Sequence, residues 1–213
     1  MHLTLDSALG AGSVAIYDGG KLLEFCPIAE RGSQAKLLVS TIQECLAAQS
    51  LKPEHLSAIY CTVGPGGFTG IRIALSAAQA LSMTLDIPLI GLSTLACIAS
   101  EYCVLPSAAP IMTAILPASR GNVYMQSFEA ASLKPLDDAT MVSLDELHSD
   151  MNLMKLNTPE IRGLEIEAIT IPAIDARSIG RLIAHEGFRA YHQLPADPLY
   201  IRPPDAKLPS KKV

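Results

Sequence analysis

Tryptophan is absent from this 213-residue chain and aromatic residues make up only 5% of it, so its core must be built from aliphatic side chains and alanine. Charge is also sparse, 17% against 49% hydrophobic, a balance close to that of globular domains and unlike disordered or low-complexity chains. Basic residues are not in excess. The net charge is −5 and the isoelectric point is near 5.5, which disfavours unaided binding to nucleic acid, because phosphate recognition needs clustered cations that release counterions. Any RNA substrate is expected to be held by a partner. The five cysteines, Cys26, Cys45, Cys61, Cys97 and Cys103, contain no C-x-x-C pair, and an odd number cannot all pair internally. Reduced, buried thiols are the expectation. The most apolar stretch, 71–92, is interrupted by Arg72, Gln79, Asp86 and Pro88, which an isolated membrane span tolerates poorly. The opening Met1-His2-Leu3-Thr4-Leu5-Asp6 lacks the basic region and small-residue cleavage site of a secretory leader. A cytoplasmic location with no membrane segment is expected.

What is present alternates between strand and helix signals. Residues 3–5, 13–17 and 21–25 are short strand-like runs separated by Gly10-Ala11-Gly12 and Asp18-Gly19-Gly20, which predicts an antiparallel meander. Over 33–49 the apolar Leu37, Leu38, Ile42, Cys45 and Leu46 recur at helical spacing. A buried strand over 58–63, a glycine-rich turn over 64–70, a helix over 71–85 and a strand over 88–92 follow. The second helix carries Ala74, Ser76, Ala77, Ala78, Ala80 and Ser82, small enough for close approach, and is expected to be buried on more than one side. Residues 105–110 are poor in both signals, which places a lobe boundary there: 1–105 as the first lobe, and 106–213 as a smaller second lobe with a final helix and tail. Within the second lobe, 111–116 and 122–128 read as a strand pair. Ser143 with Glu146 reads as a capping box and 168–171 as a strand. A helix from about 173 to 186 is expected to end on Gly187 as a left-handed cap. No internal repeat is visible.

The densest motif is Gly64-Pro65-Gly66-Gly67-Phe68-Thr69-Gly70-Ile71-Arg72, between a buried strand and a helix. Backbone N–H groups of Gly64, Gly66, Gly67, Thr69 and Gly70 could converge there on an anion. The same glycines could equally permit a tight turn and close helix packing, and the motif alone does not decide. It is not a Walker loop, since Gly70 is followed by Ile71 and Arg72 rather than by Lys-Ser/Thr. Nor is it a dinucleotide fingerprint, because Gly64, Gly66 and Gly70 leave one residue too many. Asp6-Ser7 at the end of the first strand could position a phosphate or its metal, or form an ordinary turn. No G-x-S-x-G elbow and no paired zinc histidines occur, so His55, His148, His185 and His192 are expected at the surface. Neither catalytic residues nor metal ligands are assigned. In the tail, Tyr200 and Ile201 are expected to dock and the lysines to stay loose.

Asp6-Ser7, the 64–72 block, Ser119-Arg120-Gly121-Asn122-Val123-Tyr124 and Leu199-Tyr200-Ile201-Arg202 occur in a fixed order. Together they resemble the bacterial TsaB (YeaZ) family, whose G-P-G-x-F-T-G-[IV]-R signature is specific, and the similarity covers most of the chain. The resemblance implies an α/β, two-lobed, actin-like ATPase fold of the ASKHA, Hsp70-like and ribonuclease H-like type. It also implies a non-catalytic subunit needed for N6-threonylcarbamoyladenosine (t6A) at tRNA adenosine 37. The catalytic subunit is then TsaD, the ATPase TsaE joins the assembly, and tRNA is met only through the complex. TsaD-type relatives hold a metal through a histidine pair, which this sequence lacks.

The family's two N-terminal helices form homodimers or pair with TsaD, so the resemblance points to Leu38, Ile42, Cys45, Ala74, Ala77, Ala78 and Leu81 as a seam. Those faces could instead pack only on the chain's own sheet. ATP or ADP would bind, if at all, at the interface with the partner, with Asp6, Ser7, Gly64, Gly66, Gly67, Thr69 and Gly70 as its candidate residues. One departure is clear: relatives commonly carry Asp-Ala-Arg-Arg-Gly before the second-lobe tyrosine, whereas here the stretch is Pro117-Ala118-Ser119-Arg120-Gly121. The rival class is a nucleotide-binding ATPase or phosphotransferase of the same fold, using Asp6 and the 64–70 turn.

Overall fold

The computed structural model describes residues 1–28, 32–102, 109–148, 151–156, 161, 168–171 and 173–201. The expected lobe boundary, Cys103, Arg202 and the lysine end lie outside them. The chain opens with the predicted meander: β1 (His2–Asp6), β2 (Ser13–Asp18) and β3 (Lys21–Pro27), each antiparallel to the next. Helix α1 (Gln34–Ala48) then leads to β4 (Ala58–Gly64), α2 (Phe68–Leu85) and β5 (Leu89–Ser93), and β4 and β5 extend the sheet in parallel to give the order β3-β2-β1-β4-β5.

Strand pleating sends alternate residues to opposite faces. Leu3, Leu5, Val14 and Ile16 go to a core shared with Leu38, Ile42, Cys45, Ala74 and Ala78 of α1 and α2. Ala15 and Tyr17 go to the other face, where Ala176 meets them.

Helix α3 (Thr94–Ser100) follows β5 directly and is buried at every position. The second sheet holds β6 (Ile111–Pro117), β7 (Asn122–Glu129), β8 (Thr140–Ser143), β9 (Leu153–Leu156) and β10 (Ala168–Ile171), in the order β10-β9-β6-β7-β8. Read from β8, that order repeats the first sheet in sequence and in sense: two antiparallel pairings and then two parallel ones. The repeat lives in the hydrogen-bonding order and left no trace in the residues. A duplicated meander with two parallel additions is the expected α/β, actin-like plan of two ribonuclease H-like sheets. Met112, Ala114 and Leu116 share a core with α3, while Ile115 and Val123 pack on the opposite side with Leu147 and Leu153.

Helix α4 (Ala176–Ala184) returns to the first sheet. Thr4 Oγ1 donates to the Ala176 carbonyl (2.9 Å), the Ala176 amide donates to Ser13 Oγ (2.9 Å), and the Tyr17 hydroxyl donates to the Arg177 carbonyl (3.3 Å). These bonds account for polar Thr4 and Ser13 within a buried layer. Glu101 ties α3 to α4 through Arg181 and through the Ser178 hydroxyl.

Gly187 is not a left-handed cap. Its φ is −71° and it precedes the short α5 (Phe188–Tyr191). A Cβ there would lie 2.0 Å from the Ser132 carbonyl oxygen, so close approach rather than conformation calls for glycine. The 143–146 capping box forms, with the Ser143 amide donating to Glu146 Oε1 at 2.9 Å, but it opens only a three-residue 3₁₀ turn. Among the described residues no helix is long and apolar enough to cross a membrane. Cys45, Cys61 and Cys97 are buried free thiols and Cys26 is a half-buried one.

Candidate functional site

The ends of β1 and β4 bring the two predicted loops together, and each fills the space the other would offer. Asp6 is buried and accepts from Thr62 Oγ1 (2.7 Å) and from the Ala8 amide (3.3 Å). The Gly67 amide donates to the Ala8 carbonyl at 2.7 Å. A Cβ on Gly66 would sit 2.5 Å from the Ala8 oxygen and one on Gly70 1.9 Å from the Ser7 oxygen. The Asp6-Ser7-Ala8 turn and the Gly66, Gly67 and Gly70 backbone are therefore packed directly against each other, which disfavours a phosphate between them, while Gly64 packs on Ile71 and the Leu199 carbonyl. Thr69 is exposed near the start of α2, whereas Asp6 is buried. Ser7 Oγ is buried and finds no partner among the described residues.

Burial raises the Asp6 carboxyl from its ordinary 3.8 to about 6, against the bonds from Thr62 and Ala8 and with a smaller push from Asp175. The folded protein thus holds the Asp6 proton more tightly than the unfolded chain does. Its contribution to stability is full below the unfolded value and is lost as pH rises through about 6. That preference for the neutral carboxyl is worth roughly 3 kcal/mol. Asp6→Asn is expected to stabilise the protein by about 1–3 kcal/mol at pH 7.5 and to remove the downward slope between pH 4 and 6. Urea unfolding of both proteins across that range checks it.

The open surface lies on the far side of α1 and α2. Leu38, Ile42, Cys45, Ala74 and Ala78, five of the seven residues expected to form the seam, are at most 3% exposed and face the chain's own sheet. The helical spacing that marked them marks a core face; Ala77 and Leu81 lie at its edge, half-buried. Nor is α2 buried on more than one side, since Arg72, Ser76, Gln79, Ala80 and Met83 are exposed.

A groove of about 530 Å³ runs between the two helices, lined by Ala35, Leu38, Val39, Phe68, Thr69, Arg72, Ile73, Ser76 and Ala77. Val39 and Phe68 are 59% and 53% exposed there. At one end the Arg72 guanidinium covers the Phe68 ring at 3.9 Å, its Nε donates to the Tyr200 hydroxyl at 3.0 Å, and Tyr200 stacks on Phe68 at 5.6 Å. The Leu199 amide donates to the Val63 carbonyl at 2.8 Å, which fixes Tyr200 beside the helix. The tail expectation is thus met for Tyr200. Sequence reasoning did not single out Val39 and Ile73, and it named Phe68 and Arg72 only within the 64–72 block; the signal was the four-residue spacing of Phe68, Arg72 and Ser76, one helix face away from the core stripe.

Duplicated sheets, a closed loop pair and an open helix pair define an actin-like α/β protein. A family described as TsaD, tRNA N6-adenosine threonylcarbamoyltransferase, matches residues 27–179. The chain is 30% identical over 130 residues to the tRNA threonylcarbamoyladenosine biosynthesis protein TsaB of Escherichia coli K12, covering 60% of this chain and 54% of that protein. To TsaB of Haemophilus influenzae it is 33% identical over 122 residues, 57% of this chain and 51% of that one. The chain thus spans about half the length of the curated relatives it matches. YeaZ from Pseudomonas aeruginosa superposes with a TM-score of 0.74 at 21% identity, over 93% of this chain and 98% of that one. The chain belongs to the TsaD-type family and, within it, to the TsaB (YeaZ) group.

Proposed function

We propose that this chain is a non-catalytic subunit of the t6A machinery, which docks through the α1–α2 groove onto a catalytic TsaD and holds it in the form that modifies tRNA. The observation that carries the reading is the contrast between the two candidate surfaces. The loops that would hold a nucleotide are packed against each other, while the helix pair leaves Val39 and Phe68 more than half exposed around a groove. A stable interface of standard size buries about 800 Å² per partner and centres on aromatic and arginine anchors, and Phe68, Tyr200 and Arg72 form such a cluster. A second copy of the chain could occupy the same face in the absence of TsaD. TsaE and tRNA join through the complex, consistent with an acidic chain of net charge −5.

The test is reconstitution: TsaD, TsaE, tRNA and threonylcarbamoyl-adenylate, with and without this chain, with t6A quantified in the digested tRNA. Product formation that depends on the chain is expected, and equal product in both mixtures would end the reading. The rival phosphotransferase reading draws on Asp6 and the unpartnered Ser7 hydroxyl. Calorimetric titration of the isolated chain with magnesium and ATP separates the two, since tight binding abolished by Ser7→Ala would favour the rival.

A further inference from the structure

A second cleft, of about 230 Å³, lies away from the α1–α2 groove, between the start of α3, β7 and the segment that follows α5. Two of its lining side chains each carry a buried polar atom with no partner among the described residues. Ser93 is 8% exposed and His192 is 5% exposed, and neither Ser93 Oγ nor His192 Nε2 has a hydrogen-bond partner among the described residues. Ser93 stands at the N-cap of α3, yet its side chain makes no capping bond, so the hydroxyl is not committed to the helix it precedes. Buried polar groups are almost always partnered, and each one left alone costs about 1–3 kcal/mol. Two such groups on one cleft point to an occupant.

The protonation of His192 fixes the polarity of that occupant. The ring is hydrogen-bonded to the Leu133 backbone, and burial, aided by His185, lowers its pKa against that bond. A neutral imidazole whose one N–H faces the Leu133 carbonyl leaves Nε2 as a lone-pair acceptor. Among the described residues the titratable groups lining the cleft are His192, Tyr191 and the exposed Asp138 carboxylate, with no lysine or arginine. The Gln126 amide nitrogen is already bonded to the Asp137 carbonyl at 3.0 Å. Among the described residues the cleft thus offers an imidazole acceptor, a serine hydroxyl that can accept, and the negative charge of Asp138, a lining that favours a cation over a phosphate or a carboxylate. The walls are aromatic: Phe128 and Tyr191 flank the imidazole, with centroids 6.1 and 6.4 Å from it, and ring faces attract cations.

We propose that this cleft binds a small organic cation: a primary amine on an apolar body, its ammonium donating to His192 Nε2 and the Ser93 hydroxyl with Asp138 closing the charge. At about 230 Å³ the cleft takes a small body such as benzylamine. The site does not rest on the docking reading.

Benzylamine titrated into the full chain carrying histidine labelled with ¹³C at the ring is the test, with benzoate as the anionic counterpart of equal shape. The expected result is a saturable shift of the His192 ring resonance with benzylamine and none with benzoate. His192→Phe, which keeps an aromatic ring of similar size, is expected to weaken binding at least about tenfold, the loss of one charge-assisted hydrogen bond. Should that variant fail to fold, Asp138→Asn at the exposed mouth leaves the core untouched and is expected to weaken binding about threefold. No saturable shift, equal response to benzoate, or full affinity in the Asp138→Asn protein overturns the proposal and leaves a cleft that holds ordered water only.

Discussion

Ala77→Arg is expected to lower affinity for TsaD by about 100-fold or more, and to abolish t6A formation in the reconstituted mixture, while changing the stability of the isolated chain by less than about 1 kcal/mol. The asymmetry follows from where the side chain sits. Ala77 is only half-buried at the groove wall, so in the free protein an arginine can run its methylenes along Ile73 and keep its guanidinium in water. A docked partner removes that water. A buried, unpaired guanidinium costs several kcal/mol even after relaxation, which is the hundredfold loss. Val39→Asp, at a position 59% exposed, acts by the same physics from the facing helix. Lys36→Ala is the control, because Lys36 is exposed on α1 but does not line the groove. Sedimentation of each variant with TsaD reads the effect, and full affinity in both Ala77→Arg and Val39→Asp would remove the groove from consideration. Gel filtration of the isolated chain adds the homodimer arm: if two copies share this face, Ala77→Arg shifts the profile to the monomer.

That five of the residues first expected at a seam belong to the chain's own core is instructive about what a sequence displays. Amphipathic periodicity locates the stripe that is buried, and in α1 and α2 that stripe, Leu38, Ile42, Cys45, Ala74 and Ala78, is spent on the chain's own sheet. The exposed apolar residues of the groove, Val39 and Phe68, are written more faintly, as single positions off that stripe. The meander, α1, β4 and β5 were legible because strand alternation and helical spacing are local. Helix α3 was not, since all seven of its residues are buried and a segment with no polar side has no period to detect. Strands β8 and β9, four residues each, were not read, whereas β10, equally short but β-branched at three of its four positions, was. His192 was expected at the surface, and no local signal distinguishes it; its burial comes from the chain folding back over β7 so that Leu194 bridges to Gly91. The glycine block was read two ways, and what weighs between them is a distance no sequence contains.

That distance gives the second large effect. Gly70→Ala places a Cβ 1.9 Å from the Ser7 carbonyl oxygen and 3.2 Å from the Ser7 hydroxyl. Gly70 lies in the first turn of α2, where alanine would favour an isolated helix by about 1 kcal/mol, so propensity alone calls the substitution stabilising. Packing opposes it. The obstructing atom is backbone at the end of β1, between the Asp6 carboxyl and the Ala8 carbonyl that accepts from Gly67, and it has no rotamer to change. Relief requires lifting the start of α2 off the sheet, an overpacking cost of about 3 kcal/mol or more. The net expectation is destabilisation by at least about 2 kcal/mol, a large part of the 5–15 kcal/mol that holds a domain together. Gly67→Ala provides the comparison, because its Cβ would meet only the Ala8 oxygen at 3.4 Å, an ordinary contact, and the loss should stay below about 1 kcal/mol. Urea unfolding of the two variants beside the parent measures the difference. If Gly70→Ala kept the parent's midpoint, the loops would have the slack to part, and room for a phosphate between Ser7 and the α2 turn would return with it.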